Sequence, residues 1–181
     1  NVVFQNPSTS LYPALGGKLT YTAPSGFICL IYAGTNSTSY DELPYQHDGI
    51  YDLSEENSYH YISIAPATGT DYNIKIDSNG STRWVTSLNE GDVLGSNTMT
   101  YDPDHKTLSA TGNLGEKLTI TAPADVSVVL TNQNDAICKD LTIEKAKDVK
   151  LNGSLSGIFI VKNVENITVN GSIGSLMEVT Y

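Results

Sequence analysis

Positive charge is what this chain has least of: ten Lys and Arg stand against twenty Asp and Glu, a formal net charge of -10. Nucleic acid and anionic membrane surfaces are held by clustered cations, so neither is an expected partner. No apolar run approaches the roughly 20 residues of a membrane-spanning helix, which argues against membrane insertion. The chain opens at Asn1 with neither an initiator Met nor a signal-peptide pattern, as expected of a processed or excised segment. It has only two cysteines, Cys29 and Cys138, too few for a disulfide scaffold or a four-ligand zinc site. Catalytic signatures are missing as well: there is no Gly-x-Ser-x-Gly elbow, no phosphate loop and no His-Glu-x-x-His pair. Amphipathic segments of helical period do not exceed about two turns, which leaves strands and turns as the building material.

What is abundant is Thr, Ser, Asn, Gly and Tyr, arranged in a repeat. LTITAPADVSV (118–128), LTIEKAKDVKL (141–151) and FIVKNVENITV (159–169) each carry apolar residues at positions 1, 3, 9 and 11. Within each pair the alternation has a period of two, the pattern of a short strand with one buried face. Asp125, Asp148 and Asn166 supply turn chemistry before the second pair. Leu141 and Phe159 are 18 residues apart, and over the same step Asn152-Gly153-Ser154 recurs as Asn170-Gly171-Ser172. Equal coil lengths let like positions stack, so the expected fold is all-β, a short parallel β-helix or solenoid-like stack. Two antiparallel β-sandwich domains are the alternative.

The chain also contains an internal duplication. LGGKLTYTAP (15–24) and LGEKLTITAP (114–123) match at eight of ten positions, 99 residues apart. This divides the sequence into a first repeat half, residues 1–99, and a second, residues 100–181, which holds the 18-residue rungs. The 99-residue offset sets Cys29 opposite Val128, an inward position, so Cys29 reads as a small core hydrophobe. A bridge to Cys138 is the alternative, and would require an oxidising compartment. Phe27 to Tyr32 is a nearly continuous apolar run that suggests burial on both faces.

The first half departs from its twin through a polar insertion at residues 34–58. Insertions on a repetitive scaffold are where binding residues concentrate. Tyr40, Tyr45, Tyr51, Tyr59 and Tyr61 lie in or just after it, and Tyr offers a flat apolar face plus a hydroxyl at modest entropic cost. With Trp84 and the carboxylates Asp48 and Asp52 they form the expected ligand-binding set. The opposing reading is that the tyrosines fill a core edge. Asp41, Glu42, Asp48 and Asp52, with Asp77-Ser78-Asn79-Gly80 beyond them, contain oxygen ligands of the kind calcium takes. The second stretch lacks the closing acidic residue of a calcium loop, so the main expectation is a chain without a cofactor. Lys145, Lys147 and Lys150 alternate with Glu144 and Asp148, as on a solvated outer face.

YDPDHKTLSATG, then LTITAPADVSVVLTN, then coils ending in NGS resemble the repetitive β-solenoid segments of secreted and cell-surface, adhesin-like proteins of Gram-positive bacteria. The likeness covers residues 98–175. It implies an extracellular setting and a structural, adhesive or glycan-binding role. The expected function is therefore a non-catalytic extracellular module for adhesion or carbohydrate recognition, whose partner is a glycan or a surface protein. A self-assembling fibre, filament or phage-tail component is a second possibility, and a polysaccharide-cleaving β-helix enzyme a third.

Overall fold

The computed structural model describes residues 2–5, 17–53 and 59–181, and among them every regular element is a strand. The chain forms two compact units, Asn1–Asp71 and Tyr72–Tyr181.

In the first unit, β1 (Val2–Gln5), β3 (Phe27–Asn36), β4 (Ser39–Glu42) and β6 (Tyr61–Thr68) form an antiparallel sheet in the order β1-β6-β3-β4. A two-stranded ribbon, β2 (Lys18–Thr20) with β5 (Ile50–Asp52), completes it. Alternation along β3 turns Cys29, Ile31 and Ala33 into a core shared with Ile62, Ile64, Tyr51 and Leu53. Cys29 is thus the core residue the repeat alignment implies, and both thiols are free and buried. Burial on both faces of β3 holds at Ile28 and Cys29 and fades along the strand, with Leu30 and Tyr32 only half-buried. The insertion is ordered into β4, a turn and β5, while residues 54–58 lie outside the described set.

The second unit is the solenoid. It contains β7 (Asp71–Ser78), β8 (Ser81–Thr86), β9 (Met99–Asp102), β10 (Thr107–Thr111), β11 (Lys117–Thr121), β12 (Ser127–Cys138), β13 (Asp140–Leu155), β14 (Phe159–Lys162), β15 (Val164–Asn170) and β16 (Met177–Thr180). Parallel pairing stacks the apolar positions into columns. On one face Leu118, Leu141, Phe159 and Met177 form one column, and Ile120, Ile143, Val161 and Val179 the next. On the other face lie Leu108, Val128, Val149 and Ile167, beside Ala110, Leu130, Leu151 and Val169. β13 serves both faces, because its 16 residues bend at a bulge after Ile143. Antiparallel strands close the first rungs: β7 pairs with β11, and β9 with β10. That pairing draws β7 and β8 into the second unit, so the packing boundary falls well before the repeat boundary at residue 99.

The first rung departs from the 1-3-9-11 spacing. Val128 and Leu130, two places later than that spacing assigns, pair with Val149 and Leu151. Val126 is instead buried at the corner, its carbonyl accepting the Lys147 N–H. The cause is the turn after Pro123, whose carbonyl accepts the Val126 N–H at 3.1 Å. The duplicated Thr-Ala-Pro makes the same turn at Pro24, with the Phe27 N–H donating at 3.0 Å. Of the five residues by which this coil exceeds its 18-residue neighbour, two sit at this corner. The other three, Gln133–Asp135, loop out between Asn132, paired with Gly153, and Ala136, paired with Ser154.

The opposite corners are Asn-Gly-Ser. Gly153 has a φ of 148°, and a Cβ there would collide with the Asn132 carbonyl; one on Gly171 would collide with the Gly153 carbonyl. Glycine is what lets these corners stack directly.

Phe159 is fully buried between Leu141 and Met177. Phe159→Ala is expected to cost about 3–5 kcal/mol. Its neighbour Ile158, 36% exposed, is expected to cost less than about 1 kcal/mol on truncation to Ala. Urea denaturation of the two variants checks the contrast.

Candidate functional site

Antiparallel pairing sets three strands of the first unit side by side at one level, with Tyr40 on β4 and Tyr61 on β6 both opposite Gly34 on β3. One level along, Glu42, Tyr32 and Ser63 are aligned in the same way. Residues directly opposite one another in a sheet share a face, and successive residues of a strand alternate. Both rows therefore lie on the face turned away from the core containing Ile31 and Ala33.

Gly34 is the geometric key. A Cβ there would collide with the Ser39 carbonyl and the Tyr40 Cα, and the missing side chain lets the flanking rings close over the strand. Tyr40 and Tyr61 have ring centroids 5.2 Å apart at 31°, and Tyr32 meets Tyr40 edge-on at 5.9 Å and 81°. Tyr40 remains 45% exposed. Burial, followed by a hydrogen bond to Glu42 and its negative charge, raises the pKa of the Tyr32 phenol. The hairpin tip beyond is fixed by Asn36, whose Oδ1 accepts the Thr38 N–H at 2.9 Å and the Thr38 hydroxyl at 2.7 Å.

The other expected residues go elsewhere. Tyr51 is a core residue, 3% exposed. Its hydroxyl accepts the Gln46 N–H at 3.2 Å and donates to the Cys29 carbonyl at 3.4 Å, and burial pushes its pKa up to about 12. Tyr45 donates to Asp71 Oδ2 at 2.8 Å, and His47 Nδ1 lies 2.7 Å from the same oxygen. These groups, with Cys29 and Asp48, line a cavity of about 290 Å³. Burial raises the Cys29 thiol to about 11, which keeps it protonated at neutral pH. Asp48 Oδ1 accepts the Ile50 N–H at 2.9 Å in a turn, and Tyr59 packs half-buried against the core. Asp52 pairs through its backbone with Lys18. Trp84 belongs to the second unit, on β8.

Of the expected set, Tyr40 and Tyr61 thus come together, and Tyr32 joins them. Tyr32 lies before the insertion, in what reads as a core run. The signal that finds it is its place two residues before Gly34, on the outward phase of β3.

The carboxylates that resemble calcium ligands are spread out. Asp41 and Glu42 are consecutive on β4 and so point to opposite faces. Asp77 is bound by Lys75 at 2.8 Å and by the Thr82 hydroxyl. Asn79 Oδ1 accepts the N–H groups of Glu116 and Lys117 at 2.9 and 3.1 Å, which makes it a tie to β11. Among the described residues no three His, Cys, Asp or Glu side chains converge as a metal site would need. No protein family, no curated protein and no solved structure matches the chain.

Because the Tyr51 pKa is raised, its contribution to stability is complete below its ordinary value of 10 and is lost as pH rises towards about 12. Tyr51→Phe is expected to lose about 0.5–1.5 kcal/mol at neutral pH through the missing hydrogen bonds. It should also make the decline in stability between pH 10 and 12 shallower than in the wild type. Denaturant midpoints measured across that range test both effects.

Proposed function

We propose that the chain is a non-catalytic recognition module that binds carbohydrate on the outer sheet face of its first unit, as part of a secreted or cell-surface protein that adheres to glycans. The observation carrying this reading is the tyrosine array over Gly34. Tyr40 and Tyr61 form a broad aromatic surface, one edge of which meets Tyr32 and the Glu42 carboxylate. Sugar rings present apolar C–H faces bounded by hydroxyls. Aromatic faces take the first, and phenols and carboxylates take the second. The sheet holds these side chains in place before any ligand arrives, which lowers the ordering cost of binding. The acidic balance of the chain favours a neutral or cationic glycan over an anionic one.

A second reading, self-assembly, is supported by one observation. The last rung exposes Leu176, Met177 and Val179 at 51, 41 and 36%. An apolar strand edge of this kind can add another chain.

A glycan array followed by calorimetry separates the two readings. Tyr40→Ala and Tyr61→Ala, both at positions outside the core, are expected to weaken binding by about tenfold each with the fold retained in circular dichroism. Wild-type affinity in both variants would refute the carbohydrate site. Growth of light scattering with protein concentration, abolished by Val179→Lys, would favour assembly.

A further inference from the structure

The three-residue excursion in the first coil, where the 23-residue spacing from Leu118 to Leu141 calls for a longer loop, opens a groove. Gln133–Asp135 leave the sheet where β12 would otherwise pass straight over the Asn-Gly-Ser corner of β13. The open groove they border, about 770 Å³, is within the size range of small-molecule binding clefts. Its floor is Gly153 and Gly171, which carry no side chains because the stacked corners leave no room for a Cβ. The wall is braced by its own bonds. Asn132 Nδ2 donates to the Ala136 carbonyl at 3.1 Å, and the Ala136 N–H donates to Asp135 Oδ1 at 2.7 Å.

Along the floor runs a ladder of polar side chains, one per rung. Asn170 Nδ2 donates to Asn152 Oδ1 at 2.9 Å, Asn152 Nδ2 to Thr131 Oγ1 at 3.5 Å, and Ser172 Oγ to Ser154 Oγ at 2.9 Å. These bonds fix the rotamers but do not exhaust the groups. Each amide has two N–H donors and an oxygen with two acceptor sites, so Asn170 keeps a donor and its whole carbonyl, and Asn152 keeps a donor and an acceptor site. The free groups repeat at the rung spacing of about 4.8 Å, close to the length of one sugar residue in an extended chain.

The lining also limits what the occupant can be. Among the described residues no Lys or Arg lines the groove and Asp135 is its only charge, which disfavours an anionic polymer. Ala136 contributes the only wholly apolar side chain among the described residues, so a large apolar ligand finds no aliphatic or aromatic anchor in the lining. On either side of the excursion the backbones of β12 and β13 are paired with each other, which leaves at most the three residues Gln133–Asp135 for a peptide strand to pair with. What remains is a row of fixed amides and hydroxyls, which suits a neutral polyhydroxylated chain.

We infer that this groove binds a neutral oligosaccharide lying along the stack, its successive residues held by Asn152, Asn170 and the side chains of the Gln133–Asp135 wall. The site is built wholly from the second unit and does not rest on the tyrosine array of the first.

The test uses the full chain carrying Tyr40→Ala and Tyr61→Ala, so that binding at the tyrosine array does not contribute. Cellohexaose, xylohexaose and maltohexaose are titrated separately and followed by amide nuclear magnetic resonance, with oligogalacturonate as the anionic control. The expected result is saturable movement of resonances from Thr131–Ala136, Asn152–Ser154 and Asn170–Ser172 with at least one neutral chain. Asn134→Trp, on the exposed wall, should weaken that binding about tenfold or more by filling the groove, and Asn170→Ala should weaken it by removing the outermost amide. Absence of saturable movement with all three chains would overturn the inference. So would movement that Asn134→Trp leaves unchanged, or equal binding of oligogalacturonate. Failure of the tyrosine site would appear instead as unaltered glycan affinity in the tyrosine variants, a separate result.

Discussion

In-register parallel pairing between successive coils is the constraint on which the second unit depends. Each coil has too few residues to enclose a core of its own. Leu141 and Ile143 are dry only because Leu118 and Ile120 lie on one side and Phe159 and Val161 on the other. A slip of one residue would turn every column outward, since side chains alternate faces along a strand. The polar ladders work to the same end. Asn166 on Asp148 and Asn170 on Asn152 bond only when the 18-residue step is kept, so the outer surface checks the register that the interior requires.

The columns were legible in the sequence because period-two alternation and an 18-residue step are local, additive signals. Leu141 over Phe159 follows from them, and the inward Cys29 follows from the 99-residue duplication. The first rung was misread by two places at Val126 and Val128, because a proline turn absorbs residues without altering the hydrophobic pattern on either side. The packing boundary was hidden for another reason. The duplicated LTxTAP stretches fold alike locally yet meet different neighbours: among the described residues β2 pairs with β5 alone, whereas β11 lies between β7 and β13. Duplication records common local structure, and the partner strand decides where each copy packs.

The tyrosines show the same limit from the side of function. Their concentration in the insertion marked the region but not the grouping. Tyr51 turned inward because it sits on β5 over the core, and Tyr45 was taken up by Asp71. Tyr32 joined Tyr40 and Tyr61 through cross-strand pairing, which brings together residues up to 29 positions apart, a distance that tyrosine density along the chain does not reveal. Gly34 was the informative residue all along, as the gap over which the rings meet.

The unequal coils of the solenoid have a bearing on how such a molecule changes over generations. Five surplus residues are taken up at two corners, and the columns on either side of them remain in step. Chain length at those corners is therefore nearly decoupled from the interior, while a single insertion inside a strand would turn its apolar side chains towards solvent. Variation in loop length is thus confined to a few permitted places on the rim. A scaffold built this way can acquire a new surface feature by lengthening one bend, without renegotiating its interior.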